Sequence, residues 1–490
     1  MLLISALVLT ALASRAERRQ SPVQGHHLVG AHPVFRLMMN QKLRETMEEG
    51  DKLATKTRET HIVNLLTTPE SQNSRGDGSG EPYFPFAPER GYIDIYDENN
   101  SMWYWHFRAK ENPDTAPLMI WLQGGPGGAS TDDVFFSNGP YSFHDWPKGS
   151  KRATYRNTSW VNKINMIYPD FPLGVGFSTV TGDKLSRVYD QAQQQILIFF
   201  EKFIENRPEY KGRPLYIGGV SYGGHWVPIT ATALKNSGNP DINVKGFYIS
   251  DGVIDPEVMD QSYLTFGLKN SKYTKFTQET IKKFTPLLDV CLFSQKRGHN
   301  PMHARNSLNL CWWTYYDQIR VYSLNKNPSW DPYFMPGPSK SPANLKDLSF
   351  MLFLNSPEAQ RYLGVRKHSY LPINMTFFND YSKANFYVDR KPMIARLLDD
   401  GLKGVITVGD LDFITNYEMS EKVTSELKWE HQKEFNAAPR APCKYGLCKE
   451  YKNLREIRVF GSGHGISQYK PEHALEIVNA LVGERASNYQ

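Results

Sequence analysis

The chain opens on an almost unbroken apolar run, Met1 to Leu12, followed by Ala13-Ser14-Arg15-Ala16 and then by the polar Glu17-Arg18-Arg19-Gln20. The run is too short to span a bilayer, and small residues at its end suit a signal peptidase, so residues 1–16 are predicted to be a cleaved signal peptide. Residues 17–80 carry few aromatics and end in Ser71-Gln-Asn-Ser-Arg-Gly-Asp-Gly-Ser-Gly80, a composition that resists packing and predicts a pro-segment or mobile arm. From Tyr83 onward the pattern changes. Gly91-Tyr-Ile-Asp-Ile-Tyr96 alternates as a half-buried strand does. Leu118 to Leu122, Asn165 to Tyr168 and Leu215 to Ile217 are short continuous apolar runs, which predict strands covered on both faces. Between the last two, Val188, Ala192, Ile196, Phe199, Phe200 and Phe203 recur at helical spacing, and Pro208 marks the end. Strand, helix and strand at this spacing predict a parallel sheet.

A second set follows near the end of the chain: Val405 to Val408, Ile457 to Phe460, and a helix from about Glu472 to Leu481. Between them the alternation fades across a segment with two adjacent tryptophans and many prolines. The predicted fold class is therefore α/β, a mostly parallel central sheet with helices on both faces. Residues 81–255 form its first part, 256–371 an inserted cap domain, and 372–490 its second part. One large domain with an insertion fits the 490-residue length.

The formal charge of +6 is spread over Lys and Arg scattered among Asp and Glu, which makes no case for a nucleic-acid partner. No later stretch reaches 18 apolar residues, so no membrane anchor is predicted. A secretory route permits disulfides, and the four cysteines fall into two local groups, Cys291 with Cys311 and Cys443 with Cys448. Zinc is the competing reading, but Cys443 and Cys448 have no second Cys or His pair nearby to complete four ligands, and no metal is expected. Glycosylation triplets at Asn99, Asn157 and Asn374 suit the same route.

The chemistry concentrates in a few turns. Gly219-Val-Ser-Tyr-Gly223 fits G-x-S-x-G, with a strand before it and a helix-compatible segment after it. Such a turn lifts the hydroxyl of Ser221 above the sheet, with a helix N-terminus behind it. A serine nucleophile also needs backbone donors for the oxyanion. One is Tyr222, and the other comes from Gln123-Gly-Gly-Pro-Gly-Gly128, directly after the strand Leu118 to Leu122. That loop lacks the Lys-Ser/Thr with which a phosphate-binding loop ends. An orienting carboxylate and a base should follow in that order, each after a strand. Gly409-Asp-Leu-Asp412 and Gly461-Ser-Gly-His464 qualify, making His464 the base and leaving Asp410 and Asp412 as alternatives.

These segments together resemble the serine carboxypeptidases, peptidases of the α/β-hydrolase fold, over nearly all of residues 83–482. Trp121-Leu-Gln-Gly-Gly-Pro-Gly127 is similar to the family's W-L-N-G-G-P-G, and Pro172-Leu-Gly-Val-Gly-Phe-Ser178 to its P-x-G-x-G-F-S. Gly219 to Pro228 resembles G-E-S-Y-A-G-H-Y-V-P, and Gly409 to Asn416 resembles G-D-x-D-x-x-C-N. The resemblance implies Asp412 as the triad carboxylate and Gly125 with Tyr222 as the oxyanion donors. It also implies peptide or protein C-termini as the substrate, cleaved through an acyl-enzyme on Ser221 without metal or organic cofactor. His225 and Asn416 match family positions and are read as structural. A homodimer is compatible with it, as is any of the lysosomal, vacuolar and extracellular compartments.

The chain departs from the family at three positions that hold the substrate's terminal carboxylate. The Asn, the Glu before the nucleophile and a Glu in the loop after the glycines are here Gln123, beside Gly124, Val220 and, counting along that loop to Asn138-Gly-Pro140, Ser137. Two carboxyls that share a proton with the substrate are thus missing, and the preference for acid pH loses its physical cause. An acyltransferase or esterase of the same family is therefore the rival enzyme reading. A silent binding or protective protein is a third, against which the complete triad stands.

Overall fold

The computed structural model describes residues 82–483, apart from 145–147, 183–184, 187–188, 296–305, 341–348 and 368. The expected signal peptide and pro-segment lie outside the described residues. In chain order the strands are β1 (Glu89–Asp94), β2 (Ser101–Phe107), β3 (Leu118–Leu122), β4 (Tyr141–Ser142), β5 (Thr154–Tyr155), β6 (Asn165–Pro169), β7 (Pro214–Val220), β8 (Asn243–Ser250), β9 (Lys403–Gly409), β10 (Ala441–Cys443), β11 (Gly446–Tyr451) and β12 (Leu454–Val459).

The apolar runs of β3 and β6 are buried along their whole length, as strands covered on both faces must be. Ten strands form one sheet in the order β1-β2-β6-β3-β7-β8-β9-β12-β11-β10, and β4 pairs with β5 separately. The centre from β6 to β12 is parallel. Antiparallel strands flank it on both sides. The predicted mostly parallel sheet is therefore present, with antiparallel edges that the sequence pattern did not reveal. Periodicity also misses β2, whose seven residues are all buried and so show no alternation, and β8.

The helix Tyr189–Asn206 buries Ala192, Ile196, Phe199, Phe200 and Phe203, the stripe expected from spacing. Phe199 and Phe203 meet the ring of Tyr104 on β2 edge-on, at 5.7 and 5.8 Å. Between β8 and β9 the described residues form helices and turns without a strand of the sheet. The disulfide Cys291–Cys311 ties the helix Gln278–Gln295 to the π-helical segment Leu308–Tyr316. Cys443–Cys448 closes the edge hairpin of β10 and β11. Both pairings are those the spacing predicts.

Candidate active site

Strand β7 ends at Val220 and the helix Gly223–Lys235 begins three residues later, so Ser221 sits in the turn between them. Its φ is +61°, a left-handed conformation that a non-glycine residue adopts only when its surroundings impose it. They do so through the backbone. The Ser221 N–H donates to the carbonyl of Ser250 at 3.0 Å, and its own carbonyl accepts from Gly224 at 3.0 Å and Val253 at 2.8 Å. The glycines around it are required by contact distance. A Cβ on Gly124 would lie 2.5 Å from the Cβ of Ser221, and one on Gly224 would lie 2.3 Å from the carbonyl oxygen of Val253. The N–H groups of Gly125 and Tyr222 donate to no protein acceptor among the described residues. Unpaired amides beside a serine in a left-handed turn form a ready receptor for negative charge.

The turns after β9 and β12 supply the carboxylate and the imidazole. His464 Nδ1 lies 2.8 Å from Asp412 Oδ2, and both residues are buried. The other carboxylate oxygen accepts from the N–H groups of Ile414 at 2.9 Å and Thr415 at 3.2 Å. The Thr415 hydroxyl donates to Asp412 Oδ2 at 2.5 Å and stands 2.9 Å from His464 Nδ1. Asp410 instead turns outward and accepts the Gly461 N–H at 2.7 Å, as a turn residue does. His464 Nε2 is buried without a hydrogen-bond partner among the described residues. Burial alone would lower the imidazole, but the neighbouring carboxylates of Asp412, Asp251 and Asp331 outweigh it and raise His464 above its ordinary 6.5.

The segment between β8 and β9 also holds these turns. The His464 N–H donates to the Tyr333 carbonyl at 2.7 Å, and Phe413 N–H to that of Pro332 at 2.9 Å. The Tyr333 ring meets the imidazole edge-on at 5.2 Å.

Ser221 and His464 line one cavity of about 250 Å³. Gln123, Gly124, Gly125 and Val220 line its floor, and Trp312, Trp313, Tyr316, Phe378 and Phe386 make an aromatic wall. Trp312 stacks on Tyr316 at 4.7 Å, while Trp313 is 46% exposed, leaving its ring open to a ligand. The Gln123 side chain is bound on both sides, accepting from the Gly124 N–H at 2.7 Å and donating to Asp133 at 2.8 Å. Burial pushes the Asp133 carboxyl up to about 7, and Trp121 donates to it as well. Ser137 is buried, does not line the cavity, and shares a 2.5 Å hydrogen bond with the Ser467 hydroxyl. Three of the four expected substrate-binding positions therefore meet at the cavity, and Ser137 stands apart.

His225 stacks on Tyr222 at 4.3 Å and accepts from Arg390 at 3.2 Å, and Asn416 caps the helix Tyr417–Ser425. Both roles are structural, as read from sequence. Asn99 and Asn157 are exposed. Asn374 is half-buried, caps the helix Met375–Asn385 and donates through its amide to Gly174. Sequence reasoning missed Thr415, Asp251 and Tyr333. Thr415 had a visible signal, a hydroxyl side chain in the turn after the predicted strand Val405 to Val408.

A parallel sheet whose strand ends carry a serine turn, an acidic turn and a histidine turn defines the α/β-hydrolase class. Within it, the chain belongs to the serine carboxypeptidase family, whose model matches residues 78–484. It is similar to carboxypeptidase S1 of Penicillium janthinellum, 26% identical over 81% of this chain and 95% of that one. It is also similar to a vacuolar serine-type carboxypeptidase of Saccharomyces cerevisiae, 27% identical over 81% of this chain and 79% of that one. Among solved structures it matches a prohormone-processing carboxypeptidase of Saccharomyces cerevisiae with a TM-score of 0.67 at 20% identity, over 80% of this chain and 90% of that one, a likeness of fold. No helix of the described residues is long and apolar enough to cross a membrane.

Proposed function

We propose that this serine carboxypeptidase works through Ser221, His464 and Asp412, and that the imidazole held at 2.8 Å by Asp412 with Nε2 unoccupied carries the reading. Ser221 Oγ attacks the scissile carbonyl while His464 Nε2 takes its proton. The N–H groups of Gly125 and Tyr222 receive the oxyanion. His464 then protonates the departing amine, leaving an acyl-enzyme on Ser221 that water hydrolyses by the same steps in reverse. Asp412 keeps the imidazole oriented and offsets the positive charge it acquires. The aromatic wall suits a bulky apolar side chain next to the scissile bond. Residues 1–16 as a signal peptide and 256–371 as the cap complete the proposal, with a secretory destination that the vacuolar yeast relative supports.

A second reading, ester hydrolysis or acyl transfer, is favoured by the floor of the cavity. Val220 offers no side-chain donor, Ser137 is engaged with Ser467, and Gln123 is engaged on both its amide atoms, so recognition of a terminal carboxylate is weak there. The test is hydrolysis of a blocked dipeptide, its C-terminal amide and its ester between pH 4 and 8, beside Ser221→Ala. Cleavage of the free acid in preference to the amide, reduced about 10⁶-fold in the variant, supports the carboxypeptidase reading. Ser221-dependent cleavage of the ester alone moves the assignment to acyl transfer or ester hydrolysis.

A further inference from the structure

The turn after β8 touches all three catalytic loops. The Ser250 carbonyl accepts the N–H of Ser221, and the Val253 N–H returns to the Ser221 carbonyl. Between them, Asp251 is fully buried with φ +48°. Its N–H donates to the Thr407 carbonyl on β9 at 2.8 Å. One carboxylate oxygen accepts the Gly409 N–H at 2.8 Å, at the start of the turn bearing Asp412. The other accepts the Gly465 N–H at 2.9 Å, the residue after His464, and the Ser250 hydroxyl at 2.8 Å. The Ser250 hydroxyl in turn accepts the Ile466 N–H at 3.3 Å.

An amide here would accept on one oxygen only and leave the Gly409 or the Gly465 N–H facing its NH2 group. A carboxylate buried here brings charge as well. One carboxylate oxygen each of Asp251 and Asp412 and a ring nitrogen of His464 all lie within 4.8 Å of one another, so the imidazole faces two carboxylates. Three donors and no acceptor among the described residues meet the Asp251 carboxyl, which suits its ionised form, and an imidazolium beside it favours that form further. Burial and the Asp412 carboxylate raise its titration above the ordinary carboxylate range while His464 lowers it. The groups facing His464 are then Asp412, Asp251, Asp331, the Thr415 hydroxyl and the Tyr333 ring.

We infer that Asp251 is a positioning residue for the reaction. It fixes the His464 turn against the Asp412 turn and places a second negative charge behind the base, stabilising the imidazolium formed when Ser221 attacks. Asp412 orients the ring through Nδ1, whereas Asp251 acts through the backbone on both sides and through space. This rests on His464 being the base.

The test is Asp251→Asn in the full chain, followed by kcat/KM for ester hydrolysis against pH, with Tm measured in parallel. Losing one negative charge makes the imidazole easier to deprotonate, so the acid limb moves down by about one pH unit. The plateau falls about tenfold. An acid limb unmoved while rate and Tm fall together overturns the inference and leaves Asp251 a structural tie. Asp251→Glu keeps the charge and disturbs the loops, and carries the test alone if the first variant does not fold. Its limb stays at the wild-type pH while the plateau falls, and a moved limb overturns the inference. Failure of the underlying reading looks different, because ester hydrolysis would then survive His464→Ala.

Discussion

The floor and the aromatic wall of the cavity are built in different ways. On the floor, positions are fixed by backbone: Ser221 is held at φ +61° by three main-chain hydrogen bonds, and Gly124 is bare because its Cβ would collide with the nucleophile. The wall is made of side chains, Trp312, Trp313 and Tyr316 from a π-helical segment and Phe378 from a helix. On the proposed mechanism, chemistry that depends on tenths of an ångström sits on the part that cannot repack, and selection among substrates on the part that can.

Gly124→Ala should break the floor most severely. The added methyl displaces Ser221 or the neighbouring amides, and kcat falls by about 10²–10³ while KM changes little, as steady-state kinetics on an ester substrate would read. A loss in KM alone would mean that the glycine loop serves binding. Trp312→Ala should act on the wall, raising KM about tenfold for a substrate with an aromatic side chain and hardly at all for one with Ala, at nearly constant kcat. A matching loss on both substrates would put Trp312 among the supports of the floor.

The smallest expected effect concerns pH. On the proposed mechanism His464 must be neutral to act as the base, and it is raised above 6.5, so kcat/KM should be full at neutral to alkaline pH and fall as pH drops through that raised value. Thr415→Val removes a donor from the oxygen that Asp412 offers to the imidazole. Asp412 then attracts the imidazolium more strongly, and the acid limb should move up by a few tenths of a pH unit with a few-fold loss of rate. A downward shift would mean that the hydroxyl acts on His464 directly. The opposite sign expected for Asp251→Asn makes the pair a sharper probe than either variant alone.

The floor was legible in sequence for the same reason that it is rigid. A backbone-built site demands glycines and turns at fixed places after strands, and Gly219, Ser221, Asp412 and His464 announce themselves in that way. Choosing Asp412 over Asp410 required the family resemblance, since both follow the same strand. The supports were harder to see. Asp251 follows β8, whose apolar residues cluster at one end, and nothing in the spacing says that its carboxylate reaches two other turns. The wall was hidden because helix-borne aromatics at irregular spacing read equally well as core. Ser137 shows the limit of counting along a loop, which aligns positions but does not aim side chains.

The hydrogen bond from the His464 amide to the Tyr333 carbonyl bears on how such a molecule can be rebuilt. Exchanging the inserted segment for that of another hydrolase would look like a way to change substrates without touching the chemistry. Here the exchanged piece would carry away the acceptor on which the His464 amide is hung. If His464 is the base as proposed, a transplanted segment must therefore bring its own carbonyl to that spot, or the graft will bind new molecules and leave them uncut.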